Sequence, residues 1–578
     1  MNRFANDVFG ASHERKLPTR GWWVLIIIAL LAMVPGQFSI PTMDRDEARY
    51  SQAANQMMES GDYIDIRFQE GPRYVKPVGF YWMQVVTSLP FGGDEAPIGA
   101  HRLPSLIGAV LAVLATAWIG ARLFGAPVGM SAGLILAVGL ALQVEARTAK
   151  TDAVLLACAT FAQIALMMIA LKSKGDKGKF WGWPAAFWIA SGMAILVKGP
   201  IVTTVTLLTL ITFLLMRAQW KGFKPTQIDW DIFKRLHVLP GLLVLVAIDA
   251  PWLIAINIMT EGGFFMESVG HAMLGKVAES DDSHGGPFGF HTLLLPITWW
   301  PFAVLIPLAV FYGWRERRDP TVAFLIAWIL PSWIMFEFVQ TKLPHYVMPV
   351  FPALALLAAL GLSDAKSLLS SWKQGLVFGL YALMTLVVGA LLAIFIAYGE
   401  HSLGETVGMP AKLAVLAGVI AIITLIAFIW KRDTKTLLAL ALGTCGFYTI
   451  AFGAALPSVE RMWPSYHAAQ MAKTFIGCEA FDVTTAGYRE PSLVFHFGTD
   501  THLSTGEGAA AYLAQHPACG LALVEDKDEV SFFISMAAQG LLPQAIGQLH
   551  GFNAPKGREM VLTFYTHPQS QIRVDTDN

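Results

Sequence analysis

Residues 413–430 read LAVLAGVIAIITLIAFIW, and Lys431, Arg432 and Lys435 follow within five positions. No charge interrupts the run, and about 20 apolar residues in a helix cross a hydrocarbon layer about 30 Å thick. A segment apolar on every side belongs in lipid. Its basic terminus fits the cytoplasmic side, where Lys and Arg collect in short loops. Comparable runs lie near 22–40, 104–121, 126–145, 153–171, 181–197, 200–216, 238–257, 292–312, 321–339, 347–362, 374–397 and 436–456. Together they predict an α-helical polytopic membrane protein of about thirteen spans.

Composition agrees. The chain has 578 residues, 55% hydrophobic and 14% charged, whereas average soluble proteins carry about 25% charged residues. With 41 Lys+Arg against 42 Asp+Glu the net charge is -1, so neither a nucleic-acid partner nor an acidic solvating tail is indicated. About twenty mostly polar residues precede the first apolar run, with Arg3, Arg15, Lys16 and Arg20 among them. No small-residue cleavage site follows, so that run reads as a span and not as a cleavable signal peptide.

With the N-terminus cytoplasmic, alternate loops should be rich in Lys and Arg. They carry Lys172, Lys174, Lys177 and Lys179; Arg217, Lys221, Lys224, Lys234 and Arg235; Arg315, Arg317 and Arg318; Lys366 and Lys373; and Lys431, Arg432 and Lys435. The outer side then holds loops 41–100 and 258–291 and everything after residue 456.

Residues 457–578 change to a soluble pattern and read as a C-terminal soluble α/β domain behind a membrane domain of residues 1–456. Strands are expected at Phe481–Thr485, Ser492–Phe497, Gly520–Val524 and Met560–Thr566, and helices at Gly506–Gln515 and Val530–Gln539. No nucleotide-binding or zinc spacing occurs there. Cys158 and Cys445 lie within apolar runs and read as small core residues. Cys478 and Cys519 each precede an expected strand, so an oxidising compartment allows either a bridge or two free buried thiols; a bridge is our expectation.

Charges on the outer side are the informative ones, because ionisable groups at a lipid boundary are costly unless something needs them. They cluster in Met43–Tyr50 (MDRDEARY), Tyr74–Trp82 (YVKPVGFYW), Arg147–Asp152 (RTAKTD), Lys198–Pro200 and Thr341–Tyr346 (TKLPHY). Residues 43–60 read as a helix in which Asp44 and Glu47 match a capping box and Gly61 is the stop. Asp46 and Arg49, at i and i+3, can converge on one ligand or form a surface ion pair. Lys76 opens an interfacial segment with Phe80, Tyr81 and Trp82, where it can equally be a snorkelling anchor. His271, His284 and His291, with Glu279, Asp281 and Asp282, make a divalent metal conceivable, but their spacing matches no closed site, so no metal ligands are assigned. Trp299-Trp300-Pro301 lacks an adjacent acid and reads as core.

These outward motifs, with Arg102-Leu-Pro-Ser105 and His284-Gly-Gly-Pro287, extend in order over the first 350 residues or so. Jointly they resemble the bacterial aminoarabinose lipid A transferase family, of the GT-C group that also holds protein O-mannosyltransferases. The resemblance implies a GT-C fold and transfer of a sugar from a polyprenyl phosphate to an acceptor on the periplasmic face of the inner membrane, lipid A or another envelope glycolipid. It implies Asp46 as the catalytic carboxylate, with Arg49, Lys76, Lys198, Lys342 and Tyr346 holding the donor phosphate and lipid. Glu47, Tyr50, Arg147, Asp152 and His345 are expected to support the site. Many members of the family carry Glu directly before the lysine and a second proline after it; Val75 and Val78 stand there in this chain.

A polyprenyl phosphate is a competent leaving group once its charge is neutralised, so positive charge at the phosphate matters more than a general acid and no cofactor is required. Asp46 then acts as base if the acceptor is a hydroxyl, and a single carboxylate opposite the leaving phosphate implies inversion. Transfer to a protein hydroxyl is the competing enzymatic reading. A lipid-linked glycan transporter is a third, disfavoured because the charges gather at one face and no half-to-half repeat is visible.

Overall fold

A computed structural model describes residues 7–172, 181–219, 228–268, 270 and 285–574. Among them, eight helices are long and apolar enough to cross a membrane: Ile98–Phe124, Asp152–Ala170, Ile201–Gln219, Val238–Met259, Pro320–Phe338, Trp372–Ser402, Met409–Lys431 and Thr434–Ala455. Two further spans are broken, Ala126–Val138 with Leu140–Ala146 by 61° and Phe290–Thr298 with Phe302–Arg315 by 119°. Thr19–Met33 and Met348–Ser363 are shorter apolar helices, and Gly182–Lys198 accounts for the remaining expected run. Each apolar run of the sequence therefore carries a helix, and the expectation of an α-helical polytopic membrane protein holds.

The run near 292–312 is not one straight helix. The chain turns at Trp299-Trp300-Pro301, where both indoles are buried and Trp300 packs on Phe447 and Tyr448. Proline and the packed indoles break the helical ladder there, and the motif is core, as its composition indicates. Loops expected on one side do meet. Arg15 donates to the Leu123 carbonyl at 2.6 Å, Arg235 to the Lys172 carbonyl at 3.4 Å, and Arg315 bonds Asp364 and, at 3.1 Å, Ser367.

Away from these loops stand two short helices between the first two spans, α1 (Asp46–Ser60) and α2 (Gly79–Ser88), and the C-terminal sheet domain. In that domain β1 (Asp482–Ala486), β2 (His502–Ser504), β3 (Gly520–Glu525), β4 (Gln544–Asn553) and β5 (Arg558–Thr566) form a sheet in the order β2-β1-β3-β5-β4. β1 runs parallel to β2 and β3, and β5 is antiparallel to β3 and β4. Alternation serves two cores, with Leu521 and Leu523 on one face and Ala522 and Val524 on the other.

Ser492–Phe497 is not a strand. It lies in the helix Pro491–Phe497, because proline at the first helical position fixes the backbone where no N–H is needed. The long strand β4 escapes a sequence reading since Gly547 and Gly551 interrupt it, with a register shift between Ala545 and Gly547. Cys478 and Cys519 are bridged. They sit ahead of the parallel neighbours β1 and β3, whose first residues, Asp482 and Gly520, lie opposite each other.

Candidate active site

The polar helix α1 is buried against the membrane core and against the sheet domain. Ala48, Ser51, Ala53 and Ala54 have no exposed surface, and Gly61 ends the helix in the left-handed conformation at φ 71°. The start differs from the capping-box expectation. Arg45 takes φ 64° and turns Asp44 away from the helix, so its carboxylate accepts from Ser492 of the sheet domain. Burial pushes Asp44 up to about 6.

Glu47 serves as an anchor. Its carboxylate takes both ends of the Arg102 guanidinium at 2.8 Å, plus the backbone N–H of Ala149 at 2.7 Å and of Met43 at 2.9 Å. Neither Glu47 nor Arg102 has appreciable exposure. Arg102 also donates to the carbonyls of Gln37 at 2.9 Å, Ile40 at 2.7 Å and Pro41 at 3.0 Å. Nearby, Arg147 donates to the carbonyls of Pro35 at 2.6 Å and Gln143 at 2.7 Å, and also to that of Ala32. Two arginines thus satisfy the carbonyls left unpaired where the first span ends. Glu47 and Arg147, expected to support the site, are buried in this joint, which fixes α1 to the spans.

One residue before Glu47, Asp46 is 62% exposed on its side chain and lies 3.9 Å from the guanidinium of Arg73, itself only 8% exposed. The anticipated Asp46–Arg49 pair is not formed; Arg73 supplies the cation. Arg73 is held by its backbone N–H to the Ile66 carbonyl at 2.8 Å and stacks 4.9 Å over the Tyr50 ring. Tyr50 packs on Phe80 and Tyr81 at 5.5 and 5.1 Å. Arg49 is half-buried, and burial followed by the neighbouring charge of Arg73 lowers its pKa. Asp46 and Glu490 both act on Arg49 with the opposite sign, so carboxylates and guanidiniums meet on this face of α1.

A cavity of about 450 Å³ lies between the spans and residues 75–77, ahead of α2. Lys76, Asp152, Lys198, His345 and Tyr346 line its polar part. Leu155, Leu253, Phe264, Phe265, Met335 and Phe336 line the rest, and Val75 also faces it. Lys198 bonds Asp152 at 2.5 Å and lies 5.5 Å over the Tyr346 ring. His345 stands between two carboxylates, Nδ1 3.2 Å from Glu145 and Nε2 3.6 Å from Asp152. Lys150 completes the row at 3.2 Å from Glu145. Burial lowers the His345 pKa despite both acids. For Lys150 burial opposes the charge, but Glu145 and then Asp152 override it and raise its pKa. Tyr346 is pushed up to about 12 by burial, with Asp152 and Asp46 adding to it, so the α1 carboxylate and the cavity lie within electrostatic reach of one another.

Five residues expected in the site therefore meet at the cavity: Lys76, Asp152, Lys198, His345 and Tyr346. Asp46 and Tyr50, on α1, lie within electrostatic reach of its Tyr346 and Asp152, whereas Arg49 lies beside Arg73, Asp46 and Glu490. Lys342 does not reach it; its ammonium is buried on the Val339 carbonyl at 2.8 Å. Arg73, Glu145 and Lys150 were not singled out by the sequence, although Arg73 and Lys150 are further basic residues on the outer side and carry the same signal as Lys76. His271, His284, Glu279, Asp281 and Asp282 lie outside the described residues, and His291 is buried 3.6 Å from Glu337. Among the described residues, no three His, Cys, Asp or Glu side chains are grouped to hold a metal ion.

The resemblance read from the motifs is borne out. Residues 20–261 match the family described as dolichyl-phosphate-mannose-protein mannosyltransferase. The chain is 26% identical over 354 residues to undecaprenyl phosphate-alpha-4-amino-4-deoxy-L-arabinose arabinosyl transferase 2 of Pseudomonas fluorescens, covering 61% of each protein. It is 28% identical over 344 residues to the corresponding transferase of Pseudomonas paraeruginosa, covering 58% of this chain and 59% of that one. The matches thus span about three-fifths of these relatives' length. Among solved structures, ArnT from Cupriavidus metallidurans bound to undecaprenyl phosphate superposes with a TM-score of 0.72 at 18% identity, covering 94% of this chain and 98% of that one. The archaeal oligosaccharyltransferase AglB from Archaeoglobus fulgidus superposes at 0.50 and 13% identity, covering 95% and 74%. The fold is of the GT-C type.

Proposed function

We propose that this chain is a membrane glycosyltransferase that moves a sugar from a polyprenyl phosphate to lipid A or another envelope glycolipid, with its site on the periplasmic face of the inner membrane. The observation that carries this reading is the cavity, whose lining joins Lys76, Lys198 and Tyr346 to Leu, Phe and Met side chains. That polarity suits a ligand with an anionic head and an apolar tail. The names of the matched arabinosyl transferases support the same donor class.

In this reading Lys76 and Lys198 neutralise the phosphate, so the bond from sugar to phosphate breaks with its electron pair leaving on a stabilised oxygen. Asp46, exposed beside Arg73, takes the proton of an acceptor hydroxyl, or orients Arg49 and Arg73 when the acceptor is itself a phosphate. With two lysines at the leaving group the reaction needs no cofactor, and activity should survive chelators. The matched family, described by protein mannosylation, keeps a protein hydroxyl as the second acceptor class.

One experiment separates the acceptors. Mass spectrometry of lipid A, core and exported proteins from cells with and without the gene should show one lost sugar mass on a glycolipid. A loss confined to exported proteins moves the acceptor to protein, and no loss anywhere removes the transferase reading. Reporter fusions after Lys435 and after Pro457 should report opposite sides of the membrane.

A further inference from the structure

We infer that a second cavity, beside the turn that leads into α1, is a subsite for a sugar ring of the acceptor; this rests on the transferase reading above and names where its acceptor sits. The cavity has about 230 Å³, about half the volume of the lipid cavity, and the two share no lining residue. It lies between residues 42–44 and the C-terminal domain. One group in it is out of place in a plain domain joint. Thr42 is only 5% exposed, yet its hydroxyl has no hydrogen-bond partner, and leaving such a group unpaired is costly. The other polar groups form a chain. Ser492 donates to Asp44, and the Ser465 hydroxyl lies 2.5 Å from that of Ser492 and 2.9 Å from that of Tyr488. With the Ser492 proton given to the Asp44 carboxylate, Ser465 donates to Ser492 and in turn accepts from Tyr488. A ligand that brings hydroxyl donors therefore meets free lone pairs along the chain, and Thr42 offers it both a donor and an acceptor.

Two aromatic residues, Trp463 and Tyr466, stand in the same lining. The Trp463 N–H is held by the Leu456 carbonyl at 3.2 Å, and the Tyr466 ring meets His467 and His496 edge to face. Hydroxyls and a carboxylate around fixed aromatic rings complement a sugar ring, whose edge carries hydroxyls and whose faces carry C–H groups. The place suits the acceptor. Asp44 and Asp46 are two residues apart, so their Cα atoms lie within about 7 Å of each other. The positive φ of Arg45 between them sends the two carboxylates to different partners, Ser492 and Arg73. That turn is fastened to the cavity, because Arg45 donates to the carbonyl of Pro555, a lining residue, at 3.0 Å. Asp46 in turn acts on Tyr346 of the lipid cavity. A ring seated against Asp44 thus brings its substituents toward the carboxylate that the donor approaches from the other cavity.

The test uses the full chain in lipid nanodiscs, free of sugar-headed detergent, and saturation-transfer NMR with methyl β-glucoside and methyl β-glucosaminide, with sorbitol as the acyclic control. Both glycosides should receive transfer at their ring protons, and sorbitol none. Thr42→Val removes only an unpartnered hydroxyl and should keep the melting temperature. It and Tyr466→Ala should each weaken glycoside binding at least about fivefold. No transfer in the wild type, or glycosides bound equally by the wild type and both variants, overturns the inference. Displacement of a fluorescent polyprenyl phosphate separates the two possible sources of the ring. Bare and glucosyl polyprenyl phosphates should each bind the wild type and Thr42→Val within about twofold. If Thr42→Val weakens the glucosyl form alone, the ring belongs to the donor and the acceptor assignment falls. If bare polyprenyl phosphate fails to bind while the glycosides still bind through Thr42, the donor reading falls and the sugar subsite stands.

Discussion

Two groups of charged side chains lie at the end of the membrane core that meets α1, and they are built differently. In the joint, Arg102 and Arg147 give most of their bonds to main-chain carbonyls, chiefly around residues 32–41, and Glu47 accepts from the Arg102 guanidinium and two backbone N–H groups. Around the cavity, Lys150, Glu145, His345, Asp152 and Lys198 hold one another through side chains alone. Backbone partners cannot move without unfolding something, whereas side-chain partners can be exchanged for a ligand. Ionisable residues of the same types on the same face of a membrane thus divide into framework and machinery by what they bond.

Asp46→Asn should show the largest effect. It lies beside the framework, yet an exposed carboxylate acting as base should cost about 10²–10⁴ in transfer rate, with polyprenyl phosphate binding and melting temperature unchanged. Near-normal transfer would leave Asp46 as a plain ion-pair partner of Arg73. Arg102→Met should do the reverse. Leaving Glu47 buried and unpaired should destabilise the protein by about 3–5 kcal/mol, read as a lower melting temperature in detergent, and Glu47→Gln in the same chain should restore part of it. If Arg102→Met kept its stability, the division between the two groups would be wrong.

Asp44 sharpens the contrast through pH. Its folded value of about 6 lies above the usual 3.8, so its contribution is complete below the unfolded value and is lost as pH rises through about 6. Relative to Asp44→Asn, the wild type should lose at most about 3 kcal/mol of stability between pH 4 and 6 and nothing further above that. Gln69→Ala should have the smallest effect. Gln69 donates to the Thr499 and Thr501 carbonyls of the sheet domain at 3.0 and 2.6 Å. Its loss should cost about 1 kcal/mol, visible as faster hydrogen exchange near residues 499–501 with transfer unchanged.

The spans were legible because lipid demands apolar composition over a fixed length, and the outer charges because they violate that demand. Partners were not. A capping box is a local pattern, but Asp44 and Glu47 found Ser492 and Arg102 far along the chain, and distant partners outweighed local spacing. Arg73 displaced Arg49 as the partner of Asp46 because a loop, which has no period, brought it there. His345 reaches Glu145 across 200 residues of the chain; each motif was visible singly, and only the fold makes them neighbours. The short apolar run at Ser492 fits strand or helix equally, and Pro491 decided it.

The anchoring of α1 also sets an order for biosynthesis. Glu47 is made 55 residues ahead of Arg102, so the helix bearing Asp46 leaves the membrane before the span that will hold it has been inserted. Its contact with the sheet domain comes later still, since Thr499 follows Gln52 by 447 residues. During synthesis α1 therefore passes from unheld to seated and is bonded by the sheet domain last, through Gln52, while the Asp46 carboxylate stays exposed.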